Sequence, residues 1–191
     1  AVGDPARLVM AYLSITRQVL STLNGPSKKV VASAALIALL GGGAAYLSLD
    51  TVADFEGYVP EGYKDPVGIP TKCWGDTRDV IVGQEYSFEE CSRSLNEHLY
   101  ENARPVTICV KDFDQLPDKT KAALVSMAYN IGPTAFCKSS VARYFNQGRT
   151  ERGCERIAEI YKTARGQALP GLERRRNYES AMCLRGLKEG K

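Results

Sequence analysis

Three side chains in the first half of the chain have the types and spacing for acid–base chemistry on a glycosidic bond. Asp65 follows Glu56 after nine residues, and Thr71 follows Asp65 after six. Glycoside hydrolysis needs a proton donor at the leaving oxygen and a second carboxylate that activates water. Glu56 follows Phe55, in an apolar setting that favours a protonated acid, whereas Asp65 follows Lys64 and is expected to stay ionised. Thr71 could orient the water, although acidic loop residues are more often only solvated.

The segment that contains these residues is unlike a long helix. Residues 54–79 include seven glycines and prolines: Gly57, Pro60, Gly62, Pro66, Gly68, Pro70 and Gly75. This composition predicts short strands joined by tight turns.

Helical patterns dominate the rest of the chain. Ser87 and Glu90 have the spacing of a capping box, which predicts a helix from Ser87 to about Tyr100. Further helices are predicted over residues 117–130, 139–146, 151–163 and 172–184. The predicted fold class is α+β, mostly helical with a small β-lobe near its start.

An uncharged segment precedes this region. Residues 30–49 contain no charged side chain, and 11 of these 20 residues are Ala, Gly or Ser. A helix of this length spans about 30 Å, the thickness of a bilayer core. Lys28 and Lys29 before it and Asp50 after it predict a weak inner-membrane helix with everything after residue 50 outside. A cleaved signal peptide and a buried core helix remain alternatives.

These patterns predict three regions: a leader of unknown role at residues 1–29, the hydrophobic helix at 30–49 and a catalytic domain at 50–191. Leu8 to Leu23 in the leader has the pattern of a short amphipathic helix.

Six cysteines and one histidine limit the possible chemistry. The spacing of the cysteines matches no zinc site, so disulfides in an oxidising compartment are expected. Of the possible pairings we prefer the sequential one, without excluding others. The cysteines are Cys73, Cys91, Cys109, Cys137, Cys154 and Cys183.

The charge of the chain is divided between two halves. Residues 50–137 hold 8 Lys and Arg against 15 Asp and Glu, whereas residues 138–191 hold 13 against 6. The basic half could face an acidic polymer such as peptidoglycan, or the two halves could simply attract each other. We predict no cofactor, no metal and no nucleic-acid partner, and a monomer.

The order of these motifs resembles the phage-type lysozymes, glycoside hydrolase family 24. Glu56, Asp65 and Thr71 resemble the catalytic triad of that family. The similarity continues in two further motifs, Ala128-Tyr129-Asn130-Ile131-Gly132 and Gly171-Leu172-Glu173-Arg174-Arg175-Arg176 with Glu179. With the weak helix ahead of it, the chain resembles a signal-anchor-release endolysin of a tailed phage.

The resemblance implies a β-lobe and a helical lobe with a cleft between them, and cleavage of the β-1,4 bond from N-acetylmuramic acid to N-acetylglucosamine. It implies inversion at the anomeric carbon, so we expect the carboxyls of Glu56 and Asp65 to lie roughly 6.5–9.5 Å apart. Substrate contacts are expected from Trp74, Tyr129, Asn130 and Arg174. For each of these four residues, a packing, capping or solvated role is the alternative.

Two residues depart from the family pattern. Asp76 occupies a position where His or Asn is expected, and Pro70 precedes Thr71 where a larger apolar residue is usual. His98 is expected to be a surface or packing residue. Some relatives are kept inactive by a disulfide that a cysteine in the anchor exchanges, and residues 30–49 contain no cysteine.

The short connection between anchor and acid predicts regulation. Six residues separate Leu49 from Glu56, at most about 20 Å of extended chain. Release of the helix into the periplasm would therefore be needed to bring Glu56 into place. The alternative functions are a lytic transglycosylase, a non-catalytic peptidoglycan-binding protein and, least favoured, an amidase or peptidase.

Overall fold

A computed structural model describes residues 29–65, 68–164 and 167–190. The expected amphipathic helix at residues 8–23 lies outside these ranges. The helices are α1 (Ala34–Leu40), α2 (Gly42–Glu56), α3 (Phe88–Cys109), α4 (Asp118–Ile131), α5 (Pro133–Cys137), α6 (Ser140–Asn146), α7 (Thr150–Ile157) and α8 (Pro170–Glu189). The strands are β1 (Val59–Lys64), β2 (Pro70–Cys73), β3 (Thr163–Ala164) and β4 (Gln167–Ala168), and a 3-10 turn covers Phe113–Gln115.

Helix α4 lies at the centre of the molecule. Every residue from Thr120 to Ala128 is buried, because α2, α3 and α8 all pack around this helix. A helix that is buried on all sides in this way organises a single hydrophobic core. The expectation of a mostly helical α+β fold with a small sheet is confirmed.

The hydrophobic segment forms two helices and not the single expected one. Helices α1 and α2 are bent by 112° at Gly41, whose φ of +86° is a conformation that favours glycine. Leu36, Leu40 and Leu49 are fully buried or nearly so, and the two helices pack against α3 and α4. Within the described ranges no single helix is long and apolar enough to span a membrane. The bent pair of α1 and α2 has the required length and composition only when the two helices are taken together.

The chain ahead of α1 also belongs to the folded body. The side-chain amide of Asn96 on α3 accepts a hydrogen bond from the Ser33 backbone at 2.7 Å and donates one to the Val31 carbonyl at 3.1 Å. Val30 and Ala32 are also buried. These contacts fasten the start of the hydrophobic segment to helix α3.

The predicted β-region begins later than expected. Helix α2 continues through residues 54–56, since buried Leu49 and Val52 extend its apolar face, and it ends at Gly57 with φ +73°. Strands β1 and β2 then pair antiparallel, with Tyr63 opposite Thr71. The prediction that residues 54–56 are non-helical was therefore wrong.

The other predicted helices are present with shifted ends. The capping box of Ser87 and Glu90 begins α3 as expected, but α3 continues past Tyr100 and includes Pro105. Helix α7 ends at Ile157, before the expected Thr163. The short hairpin of β3 and β4 was not predicted.

The cysteines pair in sequential order: Cys73 with Cys91, Cys109 with Cys137, and Cys154 with Cys183. The first bond joins strand β2 to helix α3, the second joins α3 to α5, and the third joins α7 to α8. The preferred pairing is confirmed.

Candidate active site

Glu56 is the last residue of α2 and faces an arginine. Its Oε1 lies 2.7 Å from Arg175 Nη1, and a Cβ atom placed on Gly75 would lie 3.6 Å from its Oε2. The expected surroundings of Glu56 were apolar, whereas in the structure the guanidinium of Arg175 contacts its carboxylate. The side chain of Glu56 remains 25% exposed, so substrate can reach it.

A cleft of about 680 Å³ opens beside Glu56. Helix α2, the end of α4 and the start of α8 form its walls. The lining residues are Asp54, Phe55, Glu56, Asn130, Leu169, Pro170, Gly171, Leu172, Arg174 and Arg175. A concave site with an ionisable group at its wall is the usual form of a catalytic site.

Asp65 and Thr71 lie on the hairpin, and both side chains hydrogen-bond to the backbone of Ile69. The Ile69 N–H donates to Asp65 Oδ1 at 2.8 Å, and the Thr71 hydroxyl donates to the Ile69 carbonyl at 3.0 Å. The Asp65 N–H also donates to the Ile69 carbonyl, at 2.9 Å. This turn fixes the two side chains relative to each other.

Two of the expected substrate-binding residues line the cleft. Asn130 and exposed Arg174 are both in its wall, and Asn130 Oδ1 accepts a hydrogen bond from buried Arg176 at 2.9 Å. Arg176 therefore orients the Asn130 side chain within the cleft wall.

Tyr129 and Trp74 are placed differently. Tyr129 is half-buried; burial raises the pKa of its hydroxyl, and the negative charge of Glu56 adds to this effect. Trp74 is only 6% exposed, with its ring 4.6 Å from that of Tyr58 and 5.8 Å from that of Phe88. Packing, the alternative reading of Trp74, explains its position.

Asp76 has the only histidine of the chain as a neighbour. His98 Nε2 lies 3.6 Å from Asp76 Oδ1, Arg78 Nε lies 3.2 Å from the same oxygen, and Ser94 donates to Oδ2. Burial opposes ionisation of Asp76, but the hydrogen bonds from Ser94 and Arg78 and the charge of His98 bring its pKa below the ordinary value. The turn after Gly75 thus has a carboxylate where the resemblance leads us to expect His or Asn, and helix α3 supplies an imidazole beside it.

Sequence reasoning missed the residues that support Glu56. Of the three consecutive arginines it named only Arg174 as a candidate substrate contact, with a solvated role as the alternative, whereas the next two, Arg175 and Arg176, are buried. The available signal was the spacing of Arg175 and Glu179, which places both on one face of a helix. The cleft wall at residues 169–172 was also missed, because its apolar residues carry no chemical signature.

The arrangement suits proton transfer and the activation of water. Glu56 lies at an open cleft, Asp65 and Thr71 lie on one rigid turn, and polar side chains line the adjoining wall. Among the described residues, no three His, Cys, Asp or Glu side chains gather as metal ligands.

Comparison with known proteins gives the same family as the sequence motifs. The family model for phage lysozyme matches residues 53–179. A SAR-endolysin of Bacteriophage PS119 is 36% identical over 132 residues, which cover 69% of this chain and 77% of the relative. A SAR-endolysin of Enterobacteria phage P21 is 33% identical over 161 residues, which cover 80% of this chain and 94% of the relative. The solved endolysin from Escherichia coli O157:H7 phage FAHEc1 superposes with a TM-score of 0.66 at 30% identity, covering 72% of this chain and 90% of that one. The chain belongs to the phage lysozyme family.

Proposed function

We propose that this protein is an endolysin that hydrolyses the β-1,4 bond between N-acetylmuramic acid and N-acetylglucosamine in peptidoglycan during host lysis. The observation that carries the proposal is the position of Glu56, at the open cleft between α2, α4 and α8. Membership in the phage lysozyme family supports this substrate. The basic second half of the chain suits a polymer that carries carboxylates.

Hydrolysis would proceed in a single displacement. Protonated Glu56 donates its proton to the glycosidic oxygen as the bond from the anomeric carbon to that oxygen breaks. Asp65 accepts a proton from a water molecule that Thr71 helps to orient, and the water oxygen bonds to the anomeric carbon from the opposite face. The products are a free hydroxyl and an inverted hemiacetal, and the displacement needs no cofactor.

Asn130 and Arg174 would contact the sugar chain. Asn130 presents an amide to the cleft, where sugar hydroxyls and acetamido groups need hydrogen-bond partners. Arg174 is exposed at the cleft wall and could pair with a lactyl or peptide carboxylate of peptidoglycan.

Clearing of outer-membrane-permeabilised bacteria tests this function. Wild-type protein should clear the suspension, and Glu56→Gln should lower the rate by at least about 100-fold because the amide cannot donate the proton. Mass spectrometry of the released muropeptides should show reducing ends. A 1,6-anhydro product would indicate a lytic transglycosylase, and equal clearing by both proteins would reject Glu56 as the acid.

We infer that residues 30–49 anchor the protein to the inner membrane, facing the periplasm, before this fold forms. In the structure these residues supply the buried leucines of α1 and α2, so a bilayer and the protein core compete for one apolar surface. Glu56 ends α2, and its contact with Arg175 exists only when α2 packs against the body. Departure of the segment from the membrane would therefore assemble the active site.

A further inference from the structure

Behind the cleft, a buried carboxylate of helix α8 contacts two arginines of the same helix. Glu179 is fully buried, and its Oε1 lies 3.1 Å from Arg175 Nε and 3.3 Å from Arg176 Nη2. The hydroxyl of Ser126 on α4 donates to the same oxygen at 2.7 Å. Glu179 Oε2 lies 3.1 Å from Arg176 Nε. A buried carboxylate with this many polar neighbours has a single orientation.

Arg175 connects this carboxylate to Glu56. One edge of its guanidinium faces Glu179, while Nη1 lies 2.7 Å from Glu56 Oε1 and Nη2 donates to the Ser126 carbonyl at 3.3 Å. The guanidinium also lies 5.0 Å from the centre of the Phe55 ring. Since a guanidinium is planar and rigid, the contact with Glu179 sets where Nη1 meets Glu56.

The pair of Arg175 and Glu56 presents a chemical difficulty. A general acid must carry a proton, whereas a neighbouring guanidinium stabilises the ionised carboxylate. Glu179 brings a second negative charge to the same guanidinium. With Glu179 ionised, the Arg175 guanidinium faces two carboxylates, whereas without that charge it would face the Glu56 carboxylate alone.

We propose that Glu179 is a positioning residue that orients Arg175 and shares its charge, so that Arg175 fixes Glu56 at the cleft while Glu179 balances part of the guanidinium charge. The inference rests on the proposed function, because it takes Glu56 as the proton donor. Burial keeps the pKa of Glu179 above its ordinary value, although the charges of Arg176 and Arg175 and the hydrogen bonds from Ser126 and Arg175 counteract part of that effect. The two arginines are the reason that a carboxylate can be ionised at this depth.

Other charged groups face Glu56 from the surrounding elements. Asp54 on α2 and Arg174 on α8 line the same cleft. The charge of Glu56 contributes to the raised pKa of Tyr129 on α4. Asp76 follows Gly75, on which a Cβ atom would lie 3.6 Å from Glu56 Oε2. Substitution of Glu179 leaves all of these groups in place. A change in the pH profile therefore reports the charge at position 179.

The test is the pH dependence of kcat/KM on purified peptidoglycan. Glu179→Gln retains the shape and an acceptor oxygen but loses the charge, so activity at neutral pH should fall at least about tenfold and the alkaline limb should move about one pH unit lower. Glu179→Asp keeps the charge, so its alkaline limb should stay in place even with a lower rate. Glu189→Gln removes an exposed carboxylate of the same helix, which pairs with Lys119 at 2.6 Å, and should leave the profile unchanged.

A folded Glu179→Gln protein with an unmoved alkaline limb would overturn the positioning role. Should that variant fail to fold, Ser126→Ala removes one donor to Glu179 Oε1 and should move the limb in the same direction by a smaller amount. An unchanged limb in Ser126→Ala would then reject the proposal. Two controls distinguish this inference from the proposed function: full activity of Glu56→Gln would reject Glu56 as the acid, and a wild type that releases no muropeptides would reject the proposed function itself.

Discussion

His98 lies half-buried against Asp76, and this position makes the stability of the fold depend on pH near neutrality. Burial lowers the pKa of His98 below 6.5; Asp76 opposes that effect and Arg78 adds to it. The unfolded chain therefore takes up a proton at a higher pH than the folded chain does. Stability should fall as the pH decreases through the ordinary histidine range.

Replacement of His98 tests this dependence. From about pH 7.5 to pH 5 the melting temperature of the wild type should decrease, and His98→Gln should show a smaller slope because this protein has no other histidine. Asp76 does not add to the slope in this range, since its pKa lies below its ordinary value of 3.8. Equal slopes for both proteins, measured by thermal unfolding, would contradict the assigned environment of His98.

Helices α1 and α2 are separate elements because of one glycine. Gly41 has φ +86°, and a Cβ atom there would meet no neighbour, so a substitution acts through backbone strain alone. Gly41→Ala should lower the free energy of unfolding by about 1–2 kcal/mol. Gly42 begins α2, also has open space around it and is not among the glycines with positive φ. The matched variant Gly42→Ala should be neutral or slightly stabilising, so equal effects in urea unfolding would argue against the bend.

The elements that could be predicted from the sequence are those with local signals. The capping box at Ser87 marked the start of α3, and the glycines and prolines of residues 57–75 marked the hairpin. The single helix over residues 30–49 was wrong because its uniform apolar pattern fits a bilayer and a protein core equally well. Only the left-handed backbone of Gly41 and the packing of Leu36 and Leu49 distinguish the two.

The active site was predictable only in part for a similar reason. The spacing of Glu56, Asp65 and Thr71 could be recognised as a motif. The contacts that position the Glu56 side chain, in contrast, join residues that are far apart in the sequence. Arg175 lies 119 residues from Glu56, and no local pattern brings them together. An Arg and a Glu four residues apart on a polar helix usually form an exposed pair, so the burial of Glu179 required the fold.

At the scale of the whole molecule, one disulfide connects the hairpin to the helical body. Cys73 and Cys91 are buried, and their bond closes a loop with a sequence separation of 18. Removing it as Cys73→Ala with Cys91→Ala should cost about 3 kcal/mol of stability. It should also lower activity, since Cys73 is two residues from Thr71.

Removal of the bond between Cys109 and Cys137 is the matched control. That bond joins α3 to α5 with a sequence separation of 28, so its loss should cost a similar free energy. The specific activity of the folded protein should change little, because this bond does not involve the hairpin that contains Asp65 and Thr71. Equal losses of activity in the two double variants would show that the first bond has no special effect on the hairpin.

The competition between bilayer and core can be tested on the outer face of the hydrophobic segment. Leucines at all of residues 41–43 would strengthen membrane insertion, but they would also strain Gly41, so a loss of lysis would have two causes. Ala34, Ala38 and Gly42 are exposed, and leucine at these three positions adds apolar surface without entering the core.

The triple variant Ala34→Leu, Ala38→Leu and Gly42→Leu should stay in the membrane fraction and delay or abolish host lysis. Once purified, it should hydrolyse peptidoglycan within about twofold of the wild type, because the packed face with Leu36 and Leu40 is unchanged. Serine at the same three positions should not increase retention. Normal release and lysis by the leucine variant would show that the apolarity of residues 30–49 does not control when Glu56 reaches Arg175.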